Sequence, residues 1–311
     1  MSPSRFSRTE IQPATVGQIL RTITVSNDKG GVGKTSFVAN VAALIADAGH
    51  RVLVIDLDPQ ANLNRDFGYA KSDGSDLLYA LQNGTPMPIL ENVRPNLDVV
   101  AGGREIRVLQ GIIFAKGGQD HILPSMLYAS LSAVAEPYDL ILIDTAPGDP
   151  WLVEAALAVS FALLIITGSD DASFDGLDGT AERFVAARAL NPDLELAGAV
   201  IFGVGDTTRR IARETREVIE GKLGGVAPVF RTSVRHQLAA AKDARKNGQL
   251  IHELEGSVSE AARSRLQALK EGRKPEGSYH ASNVSGLLSD YSFLAEELLE
   301  RILELEAGQN E

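Results

Sequence analysis

The sequence predicts an α/β fold: a doubly wound, mostly parallel sheet with helices on both faces, plus C-terminal helices. Three observations lead there. Short, nearly uninterrupted apolar runs rich in Val, Ile and Leu recur along the chain, a pattern that suits parallel strands covered on both sides. Helical stretches lie between most of them, and strand–helix alternation implies right-handed crossovers. A chain of 311 residues is also long enough to bury a substantial core.

In chain order, residues 1–21 read as a polar N-terminal arm. The first strand is Thr22-Ile23-Thr24-Val25. A helix follows, with Val38, Val41, Leu44 and Ile45 on one face and Gly49 as its stop. Further strands are expected at Arg51–Asp56, Leu97–Ala101, Tyr138–Asp144, Phe161–Thr167 and Leu196–Phe202, with a short seventh at Ala227–Phe230. Residues 22–255 make one core domain, and 256–311 a C-terminal helical extension packing on it. Within the extension, 256–270 read as a charged helix and Glu271–Gly286 as a loop. Leu287–Leu305 reads as an amphipathic helix with Leu287, Tyr291, Leu294, Leu298 and Ile302 in register.

Between the first strand and helix lies Ser26-Asn-Asp-Lys-Gly-Gly-Val-Gly-Lys-Thr-Ser36. A glycine-rich turn from strand to helix is the context of a phosphate-binding loop. Backbone N–H groups of Gly30, Gly31, Val32 and Gly33, with the helix N-terminus behind them, favour a multiply charged anion. Lys34 would reach the β- and γ-phosphates, Thr35 would ligate Mg²⁺, and Ser36 completes the loop. The usual pattern has glycine at position 28; here that residue is Asp28, and a second lysine, Lys29, precedes the glycine pair. Two more strand ends carry carboxylates. Asp144, followed by Thr-Ala-Pro-Gly, can hold Mg²⁺ directly or through water. Asp56-Leu-Asp58-Pro-Gln60 places two carboxylates at i and i+2 in an extended turn. In a doubly wound sheet these ends, with Thr167–Asp171, should converge on one site.

The order Lys-Gly-Gly-Val-Gly-Lys-Thr resembles the deviant Walker A loop of the ParA/MinD ATPases, within the wider group of P-loop NTPases. Asp56–Gln60 is similar to that family's Walker A′ motif, and Asp144 to its Walker B carboxylate. The resemblance spans about residues 20–255 and points to a ParA-type partition ATPase with ATP and Mg²⁺ as cofactors. It implies that Lys29 crosses a dimer interface to the partner's phosphates, that Asp58 positions or activates the attacking water, and that Asp56 supports the Mg²⁺ shell. Looser matches are Phe174-Asp-Gly-Leu177, Phe202–Arg210 with Asp206, and Arg231-Thr-Ser-Val-Arg235 with the helix after it; Thr167-Gly168 stands where a proline is expected. Absence of cysteine sets aside the iron–sulfur relatives of this loop, together with disulfides and thiol nucleophiles.

The net charge of −11 hides an uneven distribution: residues 207–246 hold ten Lys/Arg against four Asp/Glu, leaving −17 on the rest. A basic segment on an acidic chain is a footprint of phosphate-backbone binding. Arg209, Arg210, Arg213, Arg216, Arg231, Arg235, Lys242, Arg245 and Lys246 are the candidate contacts to non-specific DNA. The expected cycle is an ATP-bound homodimer on DNA, released when a ParB-like partner stimulates hydrolysis. The location expected is the cytoplasm, on the nucleoid, with no membrane partner. A MinD-like membrane ATPase needs a basic C-terminal helix, whereas Glu296, Glu297, Glu300, Glu304 and Glu306 here face only Arg301. A metabolic ligase on the same core, or a ParA-like protein positioning another cargo, are the remaining alternatives. Asp171–Glu182 matches the spacing of a calcium-binding EF-hand loop, but a strand precedes it where a helix is required.

Overall fold

The computed structural model describes residues 16–117, 121–204, 209–235, 237–257 and 284–309. β1 (Ile19–Ser26) runs into the phosphate loop, and α1 (Lys34–Asp47) leaves it from Gly33, whose φ of 104° suits glycine alone. β2 (Val52–Asp56), α2 (Leu63–Phe67) and α3 (Ser75–Asn83) follow, then β3 (Ile89–Arg94) and β4 (Leu97–Val100). A 3₁₀ turn at Arg104–Arg107 leads to α4 (Val108–Ala115) and α5 (Ile122–Ala135). β5 (Leu140–Asp144), α6 (Pro150–Val159), β6 (Ser160–Thr167), α7 (Asp171–Arg188) and β7 (Glu195–Ile201) complete the alternation. α8 (Arg209–Leu223), α9 (Leu238–Asn247), α10 (251–257) and α11 (Val284–Gln309) close the described chain.

The seven strands lie in the order β3-β4-β2-β5-β1-β6-β7, all parallel except β3, which pairs antiparallel with β4. This is the expected doubly wound sheet with two corrections. The edge strand β3 has no near-continuous apolar run; half its residues are exposed, so it carries none of the signal of a two-sided strand. The strand expected at Ala227–Phe230 makes only an isolated bridge, Ala199 to Val229. Pro228 has no N–H to extend the ladder, although its carbonyl still accepts from the Ala199 N–H at 3.0 Å. β1 also begins at Ile19, three residues before its expected start at Thr22. The reading of 256–270 as a helix lies almost wholly outside the described residues, as do Asp206 and residues 1–15. Val284–Gly286, expected in a loop, already belong to α11.

Alternate residues of the strands feed two faces. Val25, Val54, Leu142 and Leu164 pack with α1, α9, α10 and α11 on one side. Ile55, Ile143 and Ile165 pack under α3 to α7 on the other. α11 is the periodic helix anticipated from Leu287, Tyr291, Leu294, Leu298 and Ile302, all of them buried. Its apolar side is spent on the core that α1 shares. Leu298→Ala should therefore cost about 3 kcal/mol of stability by cavity formation, read as a lower denaturant midpoint.

Candidate nucleotide site

β1 delivers the phosphate loop between β5 on one side and β6 on the other. On the β5 side stand the carboxylates. Asp56 and Asp144 are direct partners in the β2–β5 register, fully buried at adjacent strand ends. One oxygen of Asp56 and both of Asp144 are buried without a hydrogen-bond partner. Burial pushes the Asp144 carboxyl up to about 7, against the pull of the Thr35 hydroxyl and the Lys34 ammonium. Burial, then the charge of Asp144, holds the Asp56 carboxyl well above the ordinary range. Two like charges forced together in a dry site, with lone pairs left open, fit a hard cation. No group of three or more His, Cys, Asp or Glu suited to a metal occurs among the described residues. Mg²⁺ takes one or two carboxylates and fills its shell with water and phosphate oxygens. Asp56, Asp144 and the Thr35 hydroxyl are the groups that would hold it.

Asp58 is 6% exposed in a turn that its own backbone braces. Its N–H donates to Asp56 at 3.0 Å, and its carboxylate accepts from the Gln60 N–H at 2.8 Å. The carboxylate is thus held two residues past the end of β2 in a braced turn.

The β6 side carries a cavity of about 380 Å³. It runs from Lys29–Gly33 and Ser36 past Asp170 and Phe202 to Arg235, Gln237 and, on α11, Leu287 and Tyr291. Of the two lysines, Lys34 is buried and folds onto its own loop, donating to the Asn27 and Lys29 carbonyls at 2.8 and 2.9 Å. Burial lowers its pKa, and the Asp144 and Asp58 charges oppose that. Lys29 does not fold onto the loop as Lys34 does. It pairs with Asp170, the side-chain N-cap of α7, and donates to the Ser173 hydroxyl at 3.2 Å.

α7 carries the looser match at Phe174–Leu177, but its direct contact with the phosphate loop is a finding of the structure. Its small residues come at helical spacing, Ser173, Gly176 and then Gly179 and Thr180. A Cβ on Gly176 would collide with Asn27, and one on Gly179 with Asp28. The Asp28 N–H also donates to the Thr180 hydroxyl at 3.1 Å. The helix thereby presses directly on the loop. A small-residue stripe just after a strand end was the available signal. Asp171–Glu182 is helical throughout, so it does not wrap as an EF-hand loop does.

The nine basic candidates do not share one fate. Arg216 donates to the Val229 and Phe230 carbonyls at 2.9 and 2.6 Å and holds that segment against α8. Arg231 pairs with Glu297 and Glu300, and Arg235 with Asp290, all carboxylates of α11. Arg245 spans Asp66 and Ser36. These four are engaged by protein acceptors. For three of them α11 and α2 place carboxylates opposite, a pairing that linear charge counting cannot show. Arg213 is exposed beside Glu217, and Lys242 and Lys246 are exposed one turn apart on α9. Arg209 and Arg210 open α8; their side chains lie outside the described residues.

Comparison with known proteins agrees with this geometry. The profile of the AAA domain family matches residues 20–196, from β1 through the carboxylates to β7. The chromosome partitioning protein ParA of Myxococcus xanthus is 31% identical over 222 residues, covering 70% of this chain and 75% of that protein. The chain belongs to the ParA-type partition ATPases. The chromosome-partitioning ATPase Soj of Thermus thermophilus is 27% identical over 257 residues, covering 78% of this chain and 98% of its own. In fold, this ATPase is similar to the ATP complex of a Cyanothece McdA variant, with a TM-score of 0.69, 17% identity, and coverage of 91% and 98% of the two chains. No helix among the described residues of the ATPase is long and apolar enough to cross a membrane.

Proposed function

We propose that this partition ATPase works as an ATP-gated dimer on DNA. Two copies close over two nucleotides, and each Lys29 reaches the phosphates held by the other copy. The closed pair binds DNA of arbitrary sequence on the nucleoid and lets go after hydrolysis, which a ParB-like protein stimulates. The observation that supports this most directly is the placement of Lys29. Its amine is not used by its own cradle, where Lys34 serves, and it sits part-exposed at the rim. A cation arriving from a second copy would neutralise charge on the γ-phosphoryl as an arginine finger does. Mg²⁺ at Asp56, Asp144 and Thr35 would supply charge neutralisation at the phosphates, while Asp58 orients water and takes part of its proton charge.

Among the described side chains, Arg213, Lys242 and Lys246 are the cations best placed for phosphate contacts without base reading; Arg209 and Arg210 remain candidates by their position at the start of α8. A membrane role finds no support in α11, whose apolar side is already buried in the core.

The test compares ATPase rate and DNA co-sedimentation, with and without non-specific DNA, for wild type and Asp58→Ala. Wild type should hydrolyse ATP and bind DNA only with ATP, weakening steeply as salt rises. Asp58→Ala should keep ATP-dependent DNA binding while hydrolysis falls about 10²–10⁴-fold. Equal DNA binding with and without nucleotide would refute the gate.

A further inference from the structure

Arg245 sits on the basic helix α9, yet its guanidinium is engaged by protein acceptors. Its Nε donates to Asp66 Oδ1 at 3.0 Å and its Nη2 to the Ser36 hydroxyl at 2.9 Å. Ser36 is the residue after Thr35 in the phosphate-loop helix. Asp66 lies in α2, the helix that begins five residues after Asp58, and its side chain is only 7% exposed. One forked cation therefore joins three elements: the loop that grips phosphate, the helix behind the hydrolytic turn, and the helix that bears Lys242 and Lys246.

Just beyond this bridge the C-terminal ends of α2 and α9 are joined as well. Both stop at a left-handed glycine, Gly68 and Gly248, and the two backbones touch. A Cβ on Gly248 would stand 2.8 Å from the Gly68 Cα, and one on Gly68 would stand 3.1 Å from the Gly248 carbonyl oxygen. Arg94 closes this junction, donating to the Phe67 carbonyl at 3.0 Å and the Gly248 carbonyl at 3.1 Å while pairing with Glu253. Bridge and junction both lie at the C-terminal ends of the two helices, Asp66 two residues from Gly68 and Arg245 three from Gly248, so α2 and α9 meet in one continuous contact.

We propose that Arg245 is a positioning residue and not a DNA contact: the Ser36–Arg245–Asp66 bridge, backed by the Gly68–Gly248 junction, makes the DNA affinity of α9 follow the nucleotide held by the loop. The functional half of this inference rests on the DNA reading above. A guanidinium suits the task because its fork satisfies two acceptors in fixed geometry, which an ammonium does not. Such a link transmits in both directions: whatever nucleotide does to DNA affinity, DNA does to nucleotide affinity.

The full chain is tested as wild type, Asp66→Asn and Arg245→Lys, with duplex DNA of arbitrary sequence and a slowly hydrolysed ATP analogue. Both variants should still dimerise with the analogue by size exclusion. Their gain in DNA affinity on going from ADP to the analogue should fall about tenfold, a typical size for a coupling between sites. The salt slope should stay unchanged, since no phosphate contact is lost. Simple electrostatics makes the opposite forecast for Asp66→Asn, because removing a negative charge should strengthen DNA binding. Wild-type or tighter binding by Asp66→Asn overturns the proposal. Hydrogen exchange on wild type tests the bridge without DNA and without mutation. Adding Mg²⁺ and the analogue should slow exchange in 63–67 and 238–247 together, and unchanged exchange in 238–247 overturns it. If exchange responds but wild type shows no nucleotide-dependent DNA binding, the bridge stands and the DNA reading falls.

Discussion

Lys29→Ala should bind ATP with near-normal affinity, stay monomeric, and hydrolyse about 10³-fold more slowly, the lower range for loss of a cation supplied to a transferring phosphoryl group. Binding survives because the cradle is complete without it: Gly30–Gly33, Lys34 and Thr35 all lie in one loop. Turnover should fail because Lys34 and Mg²⁺ are left without the cation that the second copy would bring to the γ-phosphate. Asp170→Ala supplies the counterpart. Asp170 holds Lys29 onto α7, and Lys29 in turn keeps the Asp170 carboxyl below its usual range. Crossing to a second copy requires leaving that contact, so removing Asp170 should raise the dimer fraction at a given ATP concentration. Sedimentation velocity with a slowly hydrolysed analogue reads both variants. A Lys29→Ala protein that dimerises and turns over normally would leave the second lysine without a role.

Asp144→Asn should abolish Mg²⁺-dependent hydrolysis and, without nucleotide, melt several degrees above wild type. The cause is the burial of two carboxylates side by side. With the Asp144 pKa pushed from its ordinary 3.8 up to about 7, the folded chain binds a proton over that range that the unfolded chain does not. Stability therefore falls as pH rises through that window, is fully present below it, and is lost above it. At about 1.4 kcal/mol per unit the cost at neutral pH is at most about 4 kcal/mol. A neutral amide removes that cost and relieves Asp56 as well. The gain is smaller than the full figure, because Lys34 loses the carboxylate that opposes its own burial. Each kcal/mol corresponds to roughly 2–4 °C in a domain of about 150–250 residues, and to somewhat less in a larger one. Melting curves of the nucleotide-free protein from pH 5 to 8 check the sign. Wild type should lose more stability than Asp144→Asn across that range, and Mg²⁺ with ATP should restore wild type alone. An Asp144→Asn protein less stable than wild type at pH 8 would refute this account of the pair.

Both predictions concern groups that local sequence marks plainly. A phosphate loop is contiguous: its glycines, lysines and threonine act through backbone geometry that a handful of neighbouring residues define. Strand-end carboxylates are nearly as legible, since an apolar run followed by Asp tells where a parallel strand delivers its last side chain. The α11 face was legible for the same reason, a helical repeat written in one segment. β3 was not, because an edge strand covered on one side has no continuous apolar run to show.

Pairings across distant segments were beyond such reading. That Lys29 rests on Asp170, that Arg231 and Arg235 meet the carboxylates of α11, and that Arg245 bridges Ser36 and Asp66 depends on how helices pack on the sheet. Charge counting along the chain found a basic segment but could not tell which cations stay in water. Local sequence alone determined the nucleotide chemistry, the order of the strands' functional ends and the family. Tertiary packing alone decided which of these charges meet a partner on a distant element. Coulomb attraction acts through space, and a partner can lie as far along the chain as Ser36 does from Arg245, 209 residues away.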